Sequence, residues 1–394
     1  MPKLLSNKTG YRGMVHSMNT GYVWHGHFDR PIGYGEEARQ FVLALRKSKI
    51  PVIPRIIEFH GENVEKDDGR AAALTEEFFS ALPGGRAEVA MDSYVSVSHS
   101  IPSLVLHDPK ASMNVVRCMY ETDRFPADWV SNCMQLDGVW VPSDFNWVSF
   151  SQSGIPEKKL FKLPGSIDTD FYSPEGPATE IVDAKRFKFF SLFEWSLRKG
   201  WDILIEAFLE EFSPGEPVLL IIKTWTTLGI DYKAELQEKL DSLGRNDPPI
   251  VLFDAACLGK LMPMLYRAMD CFVLPSHGEG WGRPYMEAMS CGLPTIGTGW
   301  SGNTEFMNRE NSFLLDYEVV PVDSEIAKEL PAFEGHRWAN PDKQQLRQFM
   351  RHVFANPTKA KEVGLRARRD MEQKFSHPPI AKLLKDKLDS LVKA

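Results

Sequence analysis

The chain alternates short apolar runs with longer segments in which apolar residues recur at helical spacing. The short runs predict buried parallel strands, and the longer segments predict amphipathic helices. The predicted strands are Tyr22–His25, Pro51–Ile57, Tyr94–Val97, Val115–Met119, Gly138–Pro142, Phe187–Leu192, Pro217–Lys223, Ile250–Phe253 and Cys271–Pro275. The predicted helices are Glu36–Lys47, Trp201–Glu211, Tyr232–Leu243 and Gly259–Ala268, with one more within Asp67–Asp92. This alternation predicts parallel sheets with helices on both faces.

A turn-rich passage divides the pattern into two sets. Leu163–Ser166 and Ser173–Pro177 are rich in proline, glycine and serine, which favour turns. A chain of 394 residues is also longer than one ordinary core supports. We therefore predict an α/β protein with two doubly wound domains, 1–165 and 166–376, and a C-terminal helix, 377–394, that packs back on the first domain. A ligand is expected in the cleft between the carboxyl edges of the two sheets.

The composition is that of a globular protein outside the membrane. Hydrophobic residues are 43% of the chain, and no apolar run approaches the roughly 20 residues that span a bilayer. The first ten residues lack the apolar core of a signal peptide. The net charge of -7 argues against general nucleic-acid binding. Five scattered cysteines, none in a Cys-x-x-Cys pair, predict a reducing, cytoplasmic location.

The C-terminal segment Lys343–Ala394 is basic, with 13 Lys or Arg against 5 acidic residues. A solvated helix face is the favoured explanation of this charge. A weak association with a membrane surface is the alternative.

The most specific functional signal is a pair of glutamates, Glu279 and Glu287, in a glycine-rich segment. The predicted strand Cys271–Pro275 comes before it, and a short helix follows, with Pro284 at its first position and Gly292 after its end. A loop and a helix N-terminus then meet at the carboxyl edge of a sheet, where backbone N–H groups can bind an anionic ligand. The alternative is structural, because a carboxylate in a first helical turn also interacts favourably with the helix dipole.

A second glycine motif, Gly33-Tyr34-Gly35-Glu36-Glu37-Ala38, matches the dinucleotide fingerprint G-x-G-x-x-A. Glu58 follows about twenty residues on, where such sites place a ribose-binding carboxylate. However, a dinucleotide turn is tight against its strand, and here Gly26–Ile32 is inserted. A glycine loop that approaches a sugar or phosphate across the cleft is therefore favoured over dinucleotide binding and over a plain turn.

Asp168-Thr169-Asp170 resembles the Asp-x-Asp with which one class of sugar transferases holds a divalent metal, since hard cations need paired carboxylates. The motif follows Pro164-Gly165-Ser166 in a predicted turn, and no apolar strand delivers it to a site. We expect these aspartates to cap the turn.

Several segments resemble glycosyltransferase family 4, whose members are retaining, nucleotide-sugar-dependent enzymes of the GT-B fold. The strongest likeness lies in Pro275–Gly282 and Glu287–Pro294, and the resemblance runs from about residue 20 to 375. The other similar segments, in the expected order, are Gly33–Arg39, Glu121–Pro126, Trp140–Ser143, Pro164–Asp168 with Phe171 and Pro174, and Arg198–Asp202 with Leu204 and Ala207. The resemblance implies a GT-B fold, in which two Rossmann-like domains face each other across a donor-binding cleft.

The resemblance also implies a donor site. By position, Glu287 accepts hydrogen bonds from the ribose hydroxyls and Glu279 contacts the transferred sugar. Lys199, with Arg198, neutralises the diphosphate, so these two and Glu279 are the implied catalytic residues. The implied donor-binding residues are Gly33, Tyr34, Gly35, Lys223, Gly280, Trp281, Gly282, Glu287, Thr298, Ser301 and Gly302.

Two features depart from the family pattern. The family has an arginine five residues before the lysine of its Lys-Gly pair, and this chain has Glu194 there. Arg198 is the candidate replacement. The family's sugar-contacting histidine in the first domain is matched by no single residue, and His99 and Glu121 both stay candidates for a sugar or acceptor contact.

The resemblance implies a retaining glycosyltransferase that moves a sugar from a UDP- or GDP-sugar to a hydroxyl of a saccharide, a lipid-linked acceptor or a small molecule. Metal-independent front-face transfer is expected, because no second carboxylate is suited to a double displacement. No cofactor, metal or nucleic acid is expected. The alternatives are a non-catalytic protein that binds sugar nucleotides or carbohydrate, and an NAD-dependent dehydrogenase built on Gly33–Ala38.

Overall fold

The computed structural model describes residues 19–57, 70–87, 89–181, 186–226, 229–245, 248–254 and 261–392. Glu58 of the dinucleotide fingerprint and Cys257 lie outside these ranges. Among the residues described, no helix is both long enough and apolar enough to cross a membrane.

The first sheet is built from six parallel strands. They are β1 (Thr20–Gly26), β2 (Val52–Ile56), β3 (Ser93–His99), β4 (Met113–Arg117), β5 (Gly138–Val141) and β6 (Leu160–Lys162). The helices of this part are α1 (Gly33–Lys47), α2 (Arg70–Ala81), α3 (Ala127–Met134) and α4 (Asp144–Gln152). The strand order is β2-β1-β3-β4-β5-β6, and every pairing in it is parallel.

The second sheet repeats this architecture. Its strands are β7 (Phe187–Glu194), β8 (Val218–Trp225), β9 (Ile250–Phe253), β10 (Cys271–Leu274), β11 (Thr295–Thr298) and β12 (Phe313–Leu315). The helices are α5 (Trp201–Glu211), α6 (Tyr232–Ser242), α7 (Leu261–Arg267) and α8 (Arg283–Ser290). The order β12-β11-β10-β7-β8-β9 is again parallel throughout. The predicted fold, two doubly wound domains, is confirmed.

A two-stranded antiparallel hairpin follows the second sheet, and the sequence pattern did not predict it. It consists of β13 (Tyr317–Pro321), α9 (Ser324–Glu329) and β14 (Arg337–Pro341). The hairpin reaches the first domain, where the Tyr120 hydroxyl donates to the carbonyl of Ala332 at 2.6 Å. Phe333 and Trp338 join the same buried cluster as Tyr120 and Phe125. The hairpin therefore joins the two domains through an apolar contact.

Three helices end the chain: α10 (Lys343–Ala355), α11 (Pro357–Asp370) and α12 (His377–Val392). The side chains of Ile380, Leu384 and Leu388 enter the core of the first domain, and the buried Tyr22 hydroxyl donates to the carbonyl of Leu384 at 2.9 Å. The basic residues of α10 face acids of the second domain. These ion pairs join Lys343, Arg347 and Arg351 to Glu206, Glu210, Glu211 and Glu216.

Candidate active site between the two domains

Glu279 and Lys199 form a buried ion pair at the carboxyl edge of the second sheet. Glu279 follows β10 and is 4% exposed, and its carboxylate lies 2.7 Å from the Nζ of Lys199. Lys199 ends a short 3-10 turn after β7, and Gly200 then takes φ +63 before α5 begins. A Cβ at Gly200 would lie 2.1 Å from the carbonyl oxygen of Pro275. Glycine is therefore required here, because the turn must pass directly over the loop that carries Glu279.

Arg198 lies near the same oxygen of the Glu279 carboxylate that Lys199 contacts. Its Nη1 is 3.6 Å from Glu279 and donates to the carbonyl of Gly278 at 2.7 Å. Its Nη2 is 3.8 Å from Glu121 of the first domain. Glu194, which stands where the family has its arginine, ends β7 beside Trp225. Arg198 thus brings a guanidinium next to Lys199 although the family position is a glutamate.

Burial shapes the protonation of both cations. The pKa of Lys199 is lowered by burial first and by the charge of Arg198 second, against the opposing effect of Glu279. Burial also works to lower the pKa of Arg198, but the surrounding glutamates, Glu121 and Glu279 foremost, raise it above its ordinary value. Lys199 therefore has an electrostatic reason to accept a further anion, whereas the glutamates around Arg198 already stabilise its charge.

Thr298, Ser301 and Gly302 hold the glutamate loop from the neighbouring strand end. Ser301 Oγ accepts from the backbone N–H of Glu279 at 2.7 Å, and the N–H of Gly302 donates to the carbonyl of Glu279 at 2.9 Å. The Thr298 hydroxyl donates to the carbonyl of Ser276 at 2.6 Å. Ser301 has φ +74, which is strained for a residue with a side chain. The surrounding contacts maintain this strain, so the position of Glu279 is tightly specified.

Glu287 is the second carboxylate of the pair and lies in α8, 6% exposed. Its oxygens accept from the Tyr266 hydroxyl at 3.0 Å and from Arg283 Nη2 at 3.4 Å. Burial raises its pKa to about 7, Arg283 opposes the rise, and Glu36 of the first domain adds to it. Gly292, at φ +72, follows the end of the helix as predicted.

The glycine motif of the first domain lies in the first turn of α1 and not in a tight turn after β1. A Cβ at Gly33 would meet nothing within 4 Å, so this residue faces open space. A Cβ at Gly35 would lie 2.3 Å from the carbonyl oxygen of His27, so Gly35 allows the preceding loop to pack closely. The Tyr34 hydroxyl donates to the carbonyl of Met119 at 3.3 Å. This arrangement differs from the dinucleotide turn, in which the glycines lie directly after the strand.

A buried charge cluster lies under this motif. Glu37 accepts from Arg117 Nη2 and from His99 Nε2, both at 2.8 Å. His99 Nδ1 accepts from the indole N–H of Trp24 at 3.2 Å, which assigns the ring proton to Nε2. Burial works to raise the pKa of Glu37, but Arg117 and His99 together lower it to about 2. Of the two candidates for a sugar or acceptor contact, His99 therefore has protein partners at both ring nitrogens. The other candidate, Glu121, lies in the cleft near Arg198.

The glycines around Glu279 show how closely the domains approach. A Cβ at Gly278 would lie 2.3 Å from the carbonyl oxygen of Glu121, and one at Gly280 would lie 2.6 Å from Met119. Gly282 takes φ +90 at the start of α8. The Trp281 side chain is 2% exposed and packs on Phe306 and Phe375, so only its backbone faces the loop.

Lys223 lies near the end of β8, and Asp168 lies in the passage between the domains. Lys223, in β8, is 7% exposed, and its Nζ lies 5.4 Å from the ring centroid of Phe253. Asp168 Oδ1 accepts from the backbone N–H groups of Asp170 and Phe171 at 3.1 and 3.2 Å, as expected for a capped turn. Its other oxygen binds Lys47 at 2.7 Å. Within the described ranges, no group of three or more His, Cys, Asp or Glu residues is placed to hold a metal ion.

Sequence reasoning did not assign a role to Arg283, Tyr266 or Glu36, although all three surround Glu287. Arg283 stands four residues before Glu287 on one helix, a spacing that places the two side chains on the same face. That signal was available in the sequence. Tyr266 and Glu36 lie on other elements, so their positions near Glu287 and Arg283 could be recognised only from the tertiary structure.

Residues 184–328, which contain both glutamates and both cations, match the family described as Glycosyl transferases group 1. This segment is a glycosyl transferases group 1 domain. The resemblance noted in the sequence is confirmed at this level, and the segment is called the group 1 domain below.

Two curated proteins show how far the sequence similarity extends along this chain. Mannosylfructose-phosphate synthase of Agrobacterium fabrum is 30% identical over 154 residues, 37% of this chain and 34% of that protein. D-inositol 3-phosphate glycosyltransferase of Actinosynnema mirum is 27% identical over 217 residues, 51% of this chain and 48% of that protein. The chain thus matches about a third to a half of the length of these relatives.

Solved structures resemble nearly the whole chain, not the group 1 domain alone. HepE of Anabaena, crystallised with UDP-glucose, has a TM-score of 0.68 at 16% identity and covers 94% of this chain and 99% of its own. Sucrose-phosphate synthase of Thermosynechococcus elongatus has a TM-score of 0.64 at 14% identity, over 95% and 99%. At these identities the likeness shows the fold, and the GT-B fold is confirmed.

Proposed function

We propose that the protein is a retaining glycosyltransferase that moves a sugar from a UDP- or GDP-sugar to an acceptor hydroxyl. The observation that carries the proposal is the buried carboxylate of Glu279, 2.7 Å from Lys199 and 3.6 Å from Arg198, on the cleft edge of the group 1 domain. A carboxylate and two cations at one point can bind a sugar hydroxyl and a diphosphate next to each other.

The two cations are proposed to stabilise the leaving group. In the free protein Lys199 and Arg198 neutralise Glu279 and Glu121, so they are preorganised before any donor binds. A diphosphate would exchange with these carboxylates and free Glu279 to accept a hydrogen bond from the sugar. Fixed charges in a site without water stabilise developing negative charge without a reorganisation cost. No metal ion is needed for that role, and metal independence is part of the proposal.

The proposed chemistry is a front-face displacement. The bond between the anomeric carbon and the diphosphate oxygen breaks, and its electron pair leaves with the nucleotide diphosphate. The acceptor oxygen forms the new bond on the same face, and its proton passes to the departing phosphate oxygen. No protein nucleophile takes part, so the anomeric configuration is retained in a single encounter.

The relatives indicate which substrates to test first. The name of mannosylfructose-phosphate synthase contains a phosphorylated sugar, that of D-inositol 3-phosphate glycosyltransferase contains a phosphorylated inositol, and the HepE crystal contains UDP-glucose. Phosphorylated sugars and inositols with UDP- and GDP-sugars therefore form the first panel. A cytoplasmic site of action belongs to the same proposal.

The test is donor hydrolysis and transfer by the wild-type protein and by Lys199→Ala, Glu279→Ala and Glu287→Ala. Removing the cation or carboxylate of a preorganised site is expected to lower turnover by about 100-fold or more. Arg309→Met is the matched control, because Arg309 is exposed and pairs only with Asp316 among the contacts described. Normal turnover in all three variants would refute the proposal. Donor binding without any release of nucleotide would instead indicate a binding protein, and complete loss of activity with a chelator would contradict metal independence.

A further inference from the structure

Arg283 contacts three separate parts of the molecule at the domain interface. Within α8 its Nη2 lies 3.4 Å from the Oε1 of Glu287. Its Nη1 donates to the carbonyl of Ser166, in the passage between the domains, at 3.1 Å. Across the cleft, Nη2 is 3.8 Å from the Oε1 of Glu36. One buried guanidinium thus bridges the nucleotide side of the cleft, the interdomain passage and the first domain.

Glu36 is firmly attached to the glycine loop of the first domain. It lies in the first turn of α1, directly after Gly35. Arg39 donates to its Oε2 through Nε at 3.0 Å and Nη2 at 2.9 Å, and Gln40 donates to its Oε1 at 2.9 Å. A displacement of the Glu36 carboxylate therefore also moves the start of α1 and the Gly33–Gly35 loop.

The charges form an alternating chain from one domain to the other. It runs from Arg39 through Glu36, Arg283 and Glu287 to the hydroxyl of Tyr266. The Nε of Arg283 is buried and has no partner among the described residues. A buried N–H without a partner is costly, so a small shift of the guanidinium that satisfies it is favourable. Arg283 therefore has a physical reason to adopt a second arrangement.

We propose that Arg283 is a positioning residue that transmits the occupancy of Glu287 to the glycine loop of the first domain. The inference rests on the proposed function, since it takes Glu287 as the carboxylate that binds the ribose. Hydrogen bonds from ribose hydroxyls partly neutralise the negative charge of Glu287. The guanidinium then interacts more strongly with Glu36, and α1 is drawn toward the donor. Such a ligand stabilises the closed arrangement because it binds that arrangement more tightly than the open one.

Hydrogen exchange measured by mass spectrometry tests this coupling directly. UDP and GDP are the probes, and wild type, Arg283→Met, Glu36→Gln and the control Arg309→Met are compared. In wild type and control, the nucleotide that binds is expected to slow exchange both in α8 and at the start of α1. In Arg283→Met and Glu36→Gln, protection of α8 should persist, while protection at the start of α1 falls at least threefold.

The acid limb of donor kcat/KM gives a second readout that a merely structural role would not move. The groups facing Glu287 are Arg283 of α8, Glu36 of α1, Tyr266 of α7, Tyr172 of the interdomain passage and Cys291 at the end of α8. Removing the cation in Arg283→Met should move the limb to higher pH, and removing the like charge in Glu36→Gln should move it to lower pH. General loosening of the fold would shift both variants in one direction.

The outcomes separate the inference from the function on which it rests. Unchanged protection of α1 in folded Arg283→Met and Glu36→Gln, with α8 protected, would overturn the coupling while leaving the transferase intact. Absence of α8 protection and of donor hydrolysis in wild type would refute the proposed function itself. If Arg283→Met does not fold, Glu36→Gln still decides the matter, because Glu36 is partly exposed and lies in the first domain, between Arg39 and Arg283 in the chain of charges.

Discussion

Glu287 and Glu37 are both buried glutamates in the second turn of a helix, and not in the first turn as the sequence suggested for Glu287, yet their pKa values move in opposite directions. Burial acts to raise both. Glu37 faces Arg117 and His99, which outweigh burial and lower its pKa to about 2. Glu287 shares Arg283 with Glu36, so the one cation between them does not offset burial, and its pKa rises to about 7. The partners on other elements, and not the residue type, decide which carboxylate is permanently charged.

The raised pKa of Glu287 predicts pH-dependent donor binding. Only the ionised carboxylate accepts hydrogen bonds through both oxygens, and such bonds lower the pKa of Glu287 in the complex. Below about pH 7, where free Glu287 is largely protonated, donor binding therefore releases its proton. Affinity for the nucleotide sugar should therefore fall by about tenfold per pH unit below pH 7 and be constant above it. Calorimetry over about three pH units around pH 7 measures this dependence of affinity on pH. Glu287→Gln should bind weakly with no such dependence, and an equally steep profile in that variant would contradict the assignment.

At the scale of elements, the hairpin of β13 and β14 supports the loop that carries Glu279 from outside the group 1 domain's sheet. The Trp338 ring stacks on His277 with centroids 4.5 Å apart, and the N–H of Ala339 donates to the carbonyl of His277 at 3.0 Å. His277 stands two residues before Glu279. The hairpin also bonds to the first domain through Thr122 and His336, 2.7 Å apart. It therefore fixes the glutamate loop and the domain interface at once.

Trp338→Ala is expected to lower the free energy of unfolding by about 3–5 kcal/mol, because a large buried ring leaves a cavity that the hairpin cannot fill. At a temperature where the variant is folded, turnover should also fall, since His277 loses its stacking partner. Chemical denaturation and donor hydrolysis measure the two effects. Val319→Ala on the same hairpin, where Val319 is 37% exposed, should change neither. Unchanged turnover in folded Trp338→Ala would show that the hairpin does not position Glu279.

At the scale of the whole molecule, the chain crosses between the domains twice. It leaves the first domain through the passage at Pro164–Ser166 and returns through α12, which packs on α1. The return contact includes a hydrogen bond of 2.8 Å between His377 and Gln40. The core of the first domain is therefore completed by residues from the far end of the sequence.

Leu384→Ala tests this completion. Leu384 is fully buried against the first core, so its truncation should cost about 2–5 kcal/mol of unfolding free energy. Lys382→Ala on the same helix is the control, because Lys382 is exposed and its ion pair with Asp386 contributes about 0–1 kcal/mol. Chemical denaturation followed by tryptophan fluorescence, with Trp24 and Trp140 in the affected core, provides the measurement. Equal midpoints for the two variants would show that α12 is not part of that core.

Prediction from sequence succeeded where the signal was local. The helix Trp201–Glu211 and the strand Ile250–Phe253 were predicted with the bounds that the structure shows. The helix has apolar residues at helical spacing, and the strand is a short apolar run. The hairpin was missed, since Tyr317–Pro321 is largely exposed and carries no buried periodicity. Glu121 and Arg198 were named as candidates, but their contact joins residues far apart in the chain.

By itself the sequence determined the succession of strands and helices, the two-domain organisation and the family to which residues 184–328 belong. These properties follow from local periodicity and short motifs. Only the tertiary structure decided which charges face one another: Glu279 with Lys199, Glu37 with Arg117, and Arg283 between Glu36 and Glu287. The physical reason is that electrostatic interactions depend on distance and burial in space, and neither is encoded in any short stretch of sequence.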